Sequence, residues 1–236
     1  MTEAGTSGER RGRSPLVLAI LTAIGVALIA AFVSLGVWQL QRRLWKLDLI
    51  AKVDARLHAP AVIAPPFADP EDVYRRVTAT GVFRNDRESF VQAVTERGPG
   101  YWVLTPLVTP RFTILVNRGF VPAERRKAHD RPGGTVRVTG LIRMSEPKGA
   151  FLRSNDPAAD RWYSRDVPAI AAAKDLGRVA PYFIDADAMA NPGGYPVGGL
   201  TVVAFRNSHL SYALTWFALA ILTGVGLVIL WRRGRE

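Results

Sequence analysis

Two long apolar runs, one near each end of the chain, constrain everything between them. Leu16 to Trp38 is almost entirely apolar, and a second run leaves His209-Leu210 and continues to Trp231, where Arg232-Arg233 ends it. As helix each rises roughly 33 Å at 1.5 Å per residue, enough to cross the hydrocarbon of a bilayer. The alternative for the first run is a cleaved signal peptide. Such a peptide has a shorter apolar core, about 7 to 15 residues, ending in a small-residue cleavage site. This run is longer and leads into Gln39-Leu40-Gln41-Arg42-Arg43 without an Ala-x-Ala. It is read as a retained anchor.

Charge sets the expected orientation. The chain carries 31 Lys+Arg against 20 Asp+Glu, a formal net charge of +11. In a soluble protein that balance points first to nucleic acid. Here arginines cluster at the ends of the apolar runs, where they meet anionic lipid headgroups. The middle shows no basic helix or aromatic-rich RNA motif, so nucleic acid is set aside as a partner. Arg232, Arg233 and Arg235 follow the second run, against Arg206 alone before it, which predicts a cytoplasmic C-terminus. Arg10, Arg11 and Arg13 favour a cytoplasmic N-terminus, although Arg42, Arg43 and Lys46 flank the other side of the same run. Glu3 and Glu9 argue against a mitochondrial transit peptide.

The expected layout is therefore a multi-pass protein of a bacterial plasma (inner) membrane. It comprises a cytoplasmic segment 1–14, a transmembrane helix 15–38 and an amphipathic extension 39–59. An extracytoplasmic β-rich domain 60–207, a second transmembrane helix 208–231 and a cytoplasmic tail 232–236 follow. The extension rests on Leu40, Leu44, Leu47, Ile50, Ala51 and Leu57, which recur at near-helical spacing before Pro60. Beyond Pro65-Pro66 the texture turns to short runs rich in Val, Thr, Ile and aromatics. Tyr74–Phe83, Ser89–Val94, Trp102–Val108, Thr113–Phe120, Thr135–Ile142, Tyr182–Asp185 and Leu200–Phe205 read as strands. Asp166-Val167-Pro168 reads as an N-cap opening a helix that ends near Gly177. The fold class is two transmembrane α-helices flanking a mostly β (α+β) extracytoplasmic domain.

Few residues are equipped for chemistry. With no cysteine there are no disulfides, thiolate metal sites or Cys nucleophiles. Three methionines and no cysteine also disfavour Cu(I) handling. The three histidines are His58, His129 and His209. His58 ends the extension. His129 lies in the charged stretch Arg125-Arg126-Lys127-Ala128-His129-Asp130-Arg131 and reads as a solvated loop residue, a poor general base. A Gly-x-Ser-x-Gly elbow is absent. His209 differs, because it stands at the entrance of the second membrane run with Tyr212 and Trp216 at i+3 and i+7 on one helical face. Two readings stand for this trio: an ordinary interfacial belt, or an imidazole ligand backed by aromatics. Gly98-Pro99-Gly100-Tyr101-Trp102, Val116-Asn117-Arg118-Gly119-Phe120-Val121-Pro122 and Trp162-Tyr163-Ser164-Arg165-Asp166 read as hairpin, core and cap segments.

Together these strings carry a resemblance. Leu35-Gly36-x-Trp38-Gln39-x-x-Arg42-Arg43-x-Trp45-Lys46 resembles the first-helix exit of the surfeit locus protein 1 family of cytochrome c oxidase assembly factors. Tyr74-Arg75, Gly81-x-Phe83, Val116–Pro122, Asn155-x-Pro157, Trp162-Tyr163-x-Arg165-Asp166, Pro196-x-Gly198-Gly199 and Asn207-x-His209-Leu210-x-Tyr212-x-x-Thr215-Trp216 follow in the family's order. Ser208 departs from it, standing where members often carry an acidic residue. The resemblance implies a non-enzymatic factor with two membrane spans that holds or delivers haem a. Its implied partners are the oxidase catalytic subunit and haem a synthase, with membrane lipid around it. It implies His209 as an axial ligand of haem iron, Arg42, Arg43 and Arg206 as propionate partners, and Trp38, Tyr212 and Trp216 as cover for the porphyrin. Two rivals are a cofactor-free scaffold and a membrane-anchored hydrolase.

Overall fold

The computed structural model describes residues 14–147, 153–188 and 191–233. The chain divides into two compact units: residues 1–50 with 204–236, and residues 51–203.

In the first unit, helix α1 (Pro15–His58) begins at the first apolar run and continues through the expected extension without a break. Helix α3 (His209–Arg233) carries the second run. Both are long and apolar enough to cross a membrane. Their less exposed positions fall on one seam. On α1 these are Thr22, Gly25, Ile29, Phe32, Gly36, Gln39, Arg43, Lys46 and Ile50; on α3 they include His209, Ala213, Trp216, Ala220, Thr223, Leu227 and Leu230. Spacings alternate between three and four, a 3.5-residue repeat that winds two helices around each other. The most buried seam positions, Gly25, Gly36, Ala213 and Ala220, are small, because apolar side chains gain little by leaving lipid and close backbone packing must supply the attraction. A Cβ at Gly25 would stand 2.6 Å from Leu227 Cδ2, and one at Gly36 would stand 2.5 Å from Phe217 Cε1. Leu44 and Leu47, expected on a packed stripe, are instead exposed, at 66% and 41%. In this helix the apolar period marks the outward face, while the seam carries glycine and polar residues.

The second unit is a seven-stranded mixed sheet. Its strands are β1 (Val62–Ile63), β2 (Arg76–Phe83), β3 (Ser89–Thr95), β4 (Gly98–Val108), β5 (Thr113–Pro122), β6 (Thr135–Met144) and β7 (Val179–Ala186), in the order β1-β2-β6-β7-β5-β4-β3. Pairing of Val82 with Val108 and of Phe83 with Leu107 joins β2 to β4 as well. Five strands thus close into a ring, leaving β1 and β3 as appendages. The closure needs Gly81, since a Cβ there would lie 2.2 Å from the Val108 carbonyl oxygen. Alternation feeds two cores. Ile114, Val116, Tyr182 and Ile184 join Val77, Leu107 and Ile142 in one cluster. Leu115 and Phe183 turn the other way, to Leu104, Trp162 and Ile170. Helix α2 (Val167–Ala173), capped by the Asp166 carboxylate accepting from the Ala169 N–H at 3.1 Å, contributes Val167 and Ile170 to that second cluster.

Three expectations change here. Leu200–Phe205 forms no strand: β7, the strand before it in the chain, already has β5 and β6 on its two edges, and Thr201 instead donates its hydroxyl to the Asp185 carboxylate. Val116–Pro122 is no hairpin connection but the buried end of β5, and Gly119 adopts φ +126° where a Cβ would meet the Val197 carbonyl oxygen at 2.1 Å. His129 is no solvated residue. Its side chain has no exposed surface, and Nε2 lies 3.2 Å from Glu88 Oε1 while Nδ1 lies 3.0 Å from the Arg126 carbonyl. Glu88 also receives Arg131 Nε at 2.9 Å and an ion pair from Arg118 at 3.4 Å.

Burial works to raise the Glu88 carboxyl pKa, but hydrogen bonds and charge from His129 and Arg131 outweigh it and hold the group below its usual range. A carboxylate depressed by folding adds stability above its unfolded pKa, about 4.3. That contribution is lost as pH falls through the folded value. Glu88→Ala, which strands buried Arg118 and His129 without their acceptor, is expected to cost about 3–5 kcal/mol in denaturant unfolding of the intact protein. Glu88→Gln should flatten the loss of stability on acidification; an unchanged acid limb would show that Glu88 contributes nothing to it.

Candidate functional site

At the end of the helix pair where α3 begins, the structure brings one of the residues singled out from sequence, His209, against α1. His209 is the first residue of α3 and holds a seam position, so its ring turns toward α1. There Nδ1 lies 2.7 Å from Gln39 Oε1. An amide oxygen only accepts, so the ring donates from Nδ1, and Nε2 is left as the basic nitrogen with its lone pair available. This is the arrangement by which a neighbouring group fixes an imidazole ligand's tautomer and angle. About two turns further along α1, Lys46 Nζ donates to the Arg206 carbonyl at 2.5 Å, tying the segment before α3 to α1. At the opposite end of the pair Trp231 Nε1 donates to Thr22 Oγ1 at 2.9 Å.

The other expected site residues separate. Trp216 shares the seam with His209 and stacks on Phe32, with centroids 5.8 Å apart and rings inclined by 26°. Tyr212 does not share that face. It is 57% exposed, whereas Ala213 takes the seam position. The physical reason is the repeat: in a seam wound at 3.5 residues the step after His209 is i+4. Trp38 is 53% exposed beside Gln39. Arg42 lies over the Trp45 ring at 4.1 Å and is exposed, as is Arg206, while Arg43 lies half-buried on the seam. Sequence reasoning passed over Gln39, Lys46 and Phe32 as site residues. Their signal was the heptad continuing from Gly25 through Ile50.

The second unit has a polar centre of its own. A cavity of about 150 Å³ is bordered by Trp102, Asn117, Arg143, Arg165, Asp185 and Thr201. Asp185 accepts from Asn117 Nδ2 at 2.8 Å, Thr201 Oγ1 at 3.0 Å and Arg143 at 3.2 Å, and both arginines also pair with Glu146. Two cations and two carboxylates balance, and each is spent on the others. Among the described residues no hydroxyl bonds to a histidine, and no group of three or more His, Asp or Glu is placed to hold a metal. The nucleophile–base pair a hydrolase needs is not assembled around His129, whose ring nitrogens face Glu88 and a carbonyl.

Comparison with known proteins now bears on this arrangement. A family profile described as the SURF1 family matches residues 26–221, from within α1 to within α3. This chain belongs to the SURF1 family. A SURF1-like protein of Monosiga brevicollis is 37% identical over 222 residues, covering 85% of this chain and 83% of that one. Surfeit locus protein 1 of Homo sapiens is 35% identical over 221 residues, 83% of this chain and 72% of the human protein. The Gallus gallus protein of the same name is 36% identical over 225 residues, covering 84% and 70%. The resemblance noted from ordered motifs is thus a family relationship. The matched span takes in Gln39, His209 and most of the seam.

Packing of that seam can be tested with two glycines. Gly36→Leu must displace Phe217 and is expected to cost about 1–3 kcal/mol, read as a lowered melting temperature in detergent. Gly226→Leu projects into space with nothing within 4 Å and should be neutral or slightly stabilising. Equal effects of the two would contradict the seam.

Proposed function

We propose that this SURF1-family protein is a non-enzymatic assembly factor for haem-copper cytochrome c oxidase, and that it holds haem a at the outer end of its helix pair. Family membership supports the oxidase part of the reading. The observation that carries the haem part is the His209–Gln39 hydrogen bond, which leaves one basic imidazole nitrogen directed by a fixed partner.

The residues present suit the group. His209 Nε2 is a donor of the kind haem iron takes axially. Arg42 and Arg206, both exposed, offer guanidinium forks for propionates, and Lys46 and Arg43 add charge at the same end. Trp38 and Tyr212 expose apolar ring area that a porphyrin would cover. Bound haem would bring an iron centre whose destination is the oxidase. This chain's part is to orient the imidazole and shield one side while letting go. A single histidine suits that task, because release then requires breaking one protein–iron bond. The catalytic subunit is the proposed recipient and haem a synthase the proposed source. Arginine distribution supports a bacterial inner membrane with Gln41–Asn207 on its outer side.

The competing reading is a cofactor-free scaffold gripping assembly intermediates. Haem content and optical spectrum of the protein purified from haem-a-replete cells separate the two. His209→Ala is expected to leave folding and insertion intact and to abolish or strongly shift the bound-haem spectrum. Arg42→Ala and Arg206→Ala should weaken retention less, by up to about tenfold each, with the iron ligand in place. Identical spectra for wild type and His209→Ala would reject His209 as ligand, and absence of haem from the wild type would favour the scaffold.

A further inference from the structure

Three sequence strings with no part in the haem site meet on the outer unit. Tyr101 and Pro99 from Gly98–Trp102, Pro122 from Val116–Pro122 and Tyr163 from Trp162–Asp166 border a groove of about 830 Å³ that also takes in Val94 and Arg153. The groove runs along β3, the terminal strand beside β4. Val94 there is 87% exposed, an apolar residue on a sheet edge that no described residue covers.

The edge is open in a defined way. Gln92 N–H donates outward to the Trp162 carbonyl at 2.8 Å, so Gln92 turns its backbone away from β4. By strand alternation Val94 does the same, and its partner across the ladder is Pro99, which has no N–H to offer. The Val94 N–H and carbonyl therefore face outward. The stretch after Trp162 would continue along this edge, but Asn155 Oδ1 draws off the N–H groups of Tyr163 and Ser164 at 2.8 and 3.0 Å. The chain leaves, and among the described residues no backbone group pairs with the outward N–H and carbonyl of Val94. Folded proteins ordinarily blunt such edges with charge, proline or a covering segment. Among the described residues none of these covers Val94.

We infer that the free edge of β3 is a docking site for an extended, acidic segment of a partner protein, which adds as a strand beside Val94. Strand addition draws affinity from backbone hydrogen bonds and selectivity from alternate side chains. The groove supplies both parts. Tyr101, Tyr163 and the two prolines form an apolar bed for alternate side chains. Arg97 and Arg153 stand in the lining, and Arg126 lies over the Tyr101 ring at 5.0 Å, against one lining carboxylate, Glu124. Arg153, held at 5.5 Å from the Tyr163 ring and 3.4 Å from Gln92 Oε1, is placed to meet a carboxylate on an added strand. The same cations argue against a second copy of this chain, since pairing β3 with β3 would bring Arg97 and Arg153 toward their own kind. This inference does not depend on haem binding.

The test uses the full chain in nanodiscs and acetylated heptapeptides in which valine alternates with glutamate or with lysine, followed by fluorescence anisotropy. The glutamate peptide should bind, and the lysine peptide should bind at least about tenfold more weakly. N-methylation of the glutamate peptide's backbone on its pairing edge should cost about tenfold or more. Val94→Pro removes the outward N–H without touching the ladder to β4 and should weaken binding similarly, while Arg153→Glu should reverse the charge preference. Unchanged thermal unfolding of these variants establishes that the edge and not the fold was altered. No binding of the glutamate peptide at about 1 mM would overturn the proposal. So would binding indifferent to N-methylation and Val94→Pro, or a dimer of the wild-type chain that Val94→Pro dissociates.

Discussion

Close packing of small residues along the seam of α1 and α3 is the constraint from which the candidate site follows. Apolar side chains find lipid as congenial as each other, so two membrane helices associate through surface fit and a few hydrogen bonds. Gly25 and Gly36 admit Leu227 and Phe217 to distances at which any side chain would collide. Once the backbones are that near, register is set by polar pairs at the ends: Thr22 with Trp231, and Gln39 with His209. A buried polar group left unpaired costs about 1–3 kcal/mol, so a register shift that parts the half-buried Gln39–His209 pair is penalised. The bond that orients His209 is therefore also one that holds the helices in place.

This dual use suits the proposed haem-holding role of the helix pair. Residues 170 positions apart in sequence meet across the helix pair, the second unit, 51–203, lying between them in the chain. Each helix brings what the other lacks, an imidazole from α3 and its fixed hydrogen-bond acceptor from α1. The outer unit is built by a different rule. Its ring of strands closes around two apolar clusters, and its buried charges are paired among themselves, Glu88 with Arg118, His129 and Arg131, and Asp185 with Arg143 and Arg165.

Much of this was legible in the sequence, for stated reasons. The two membrane helices announce themselves by length and composition, and β2 to β6 by their β-branched and aromatic runs. Leu200–Phe205 has the composition of a strand, yet pairing depends on a free edge, which local sequence does not encode. His129 looked solvated because its neighbours Arg125, Arg126 and Lys127 are charged; its burial comes from Glu88, 41 residues earlier. Leu40, Leu44 and Leu47 misled in an instructive way. In water an apolar helical stripe marks the packed face, whereas in this helix those leucines are exposed and the packed face carries Gly36, Gln39 and Lys46. Read with that inversion, the same sequence would have pointed to Gln39 as the partner of His209 and moved Tyr212 off the seam.

The account stands on α1 and α3 meeting in the register that joins Gln39 to His209. The natural chain contains no cysteine, so introduced pairs are free of background. Oxidative cross-linking in native membranes of Gly36→Cys/Phe217→Cys, a seam pair, against Leu35→Cys/Leu214→Cys, two outward positions, reads that register directly. The account predicts rapid intramolecular cross-linking of the seam pair and little for the outward pair. Cross-linking of the outward pair with none at the seam would contradict it, and would remove the structural basis for His209 as an oriented ligand.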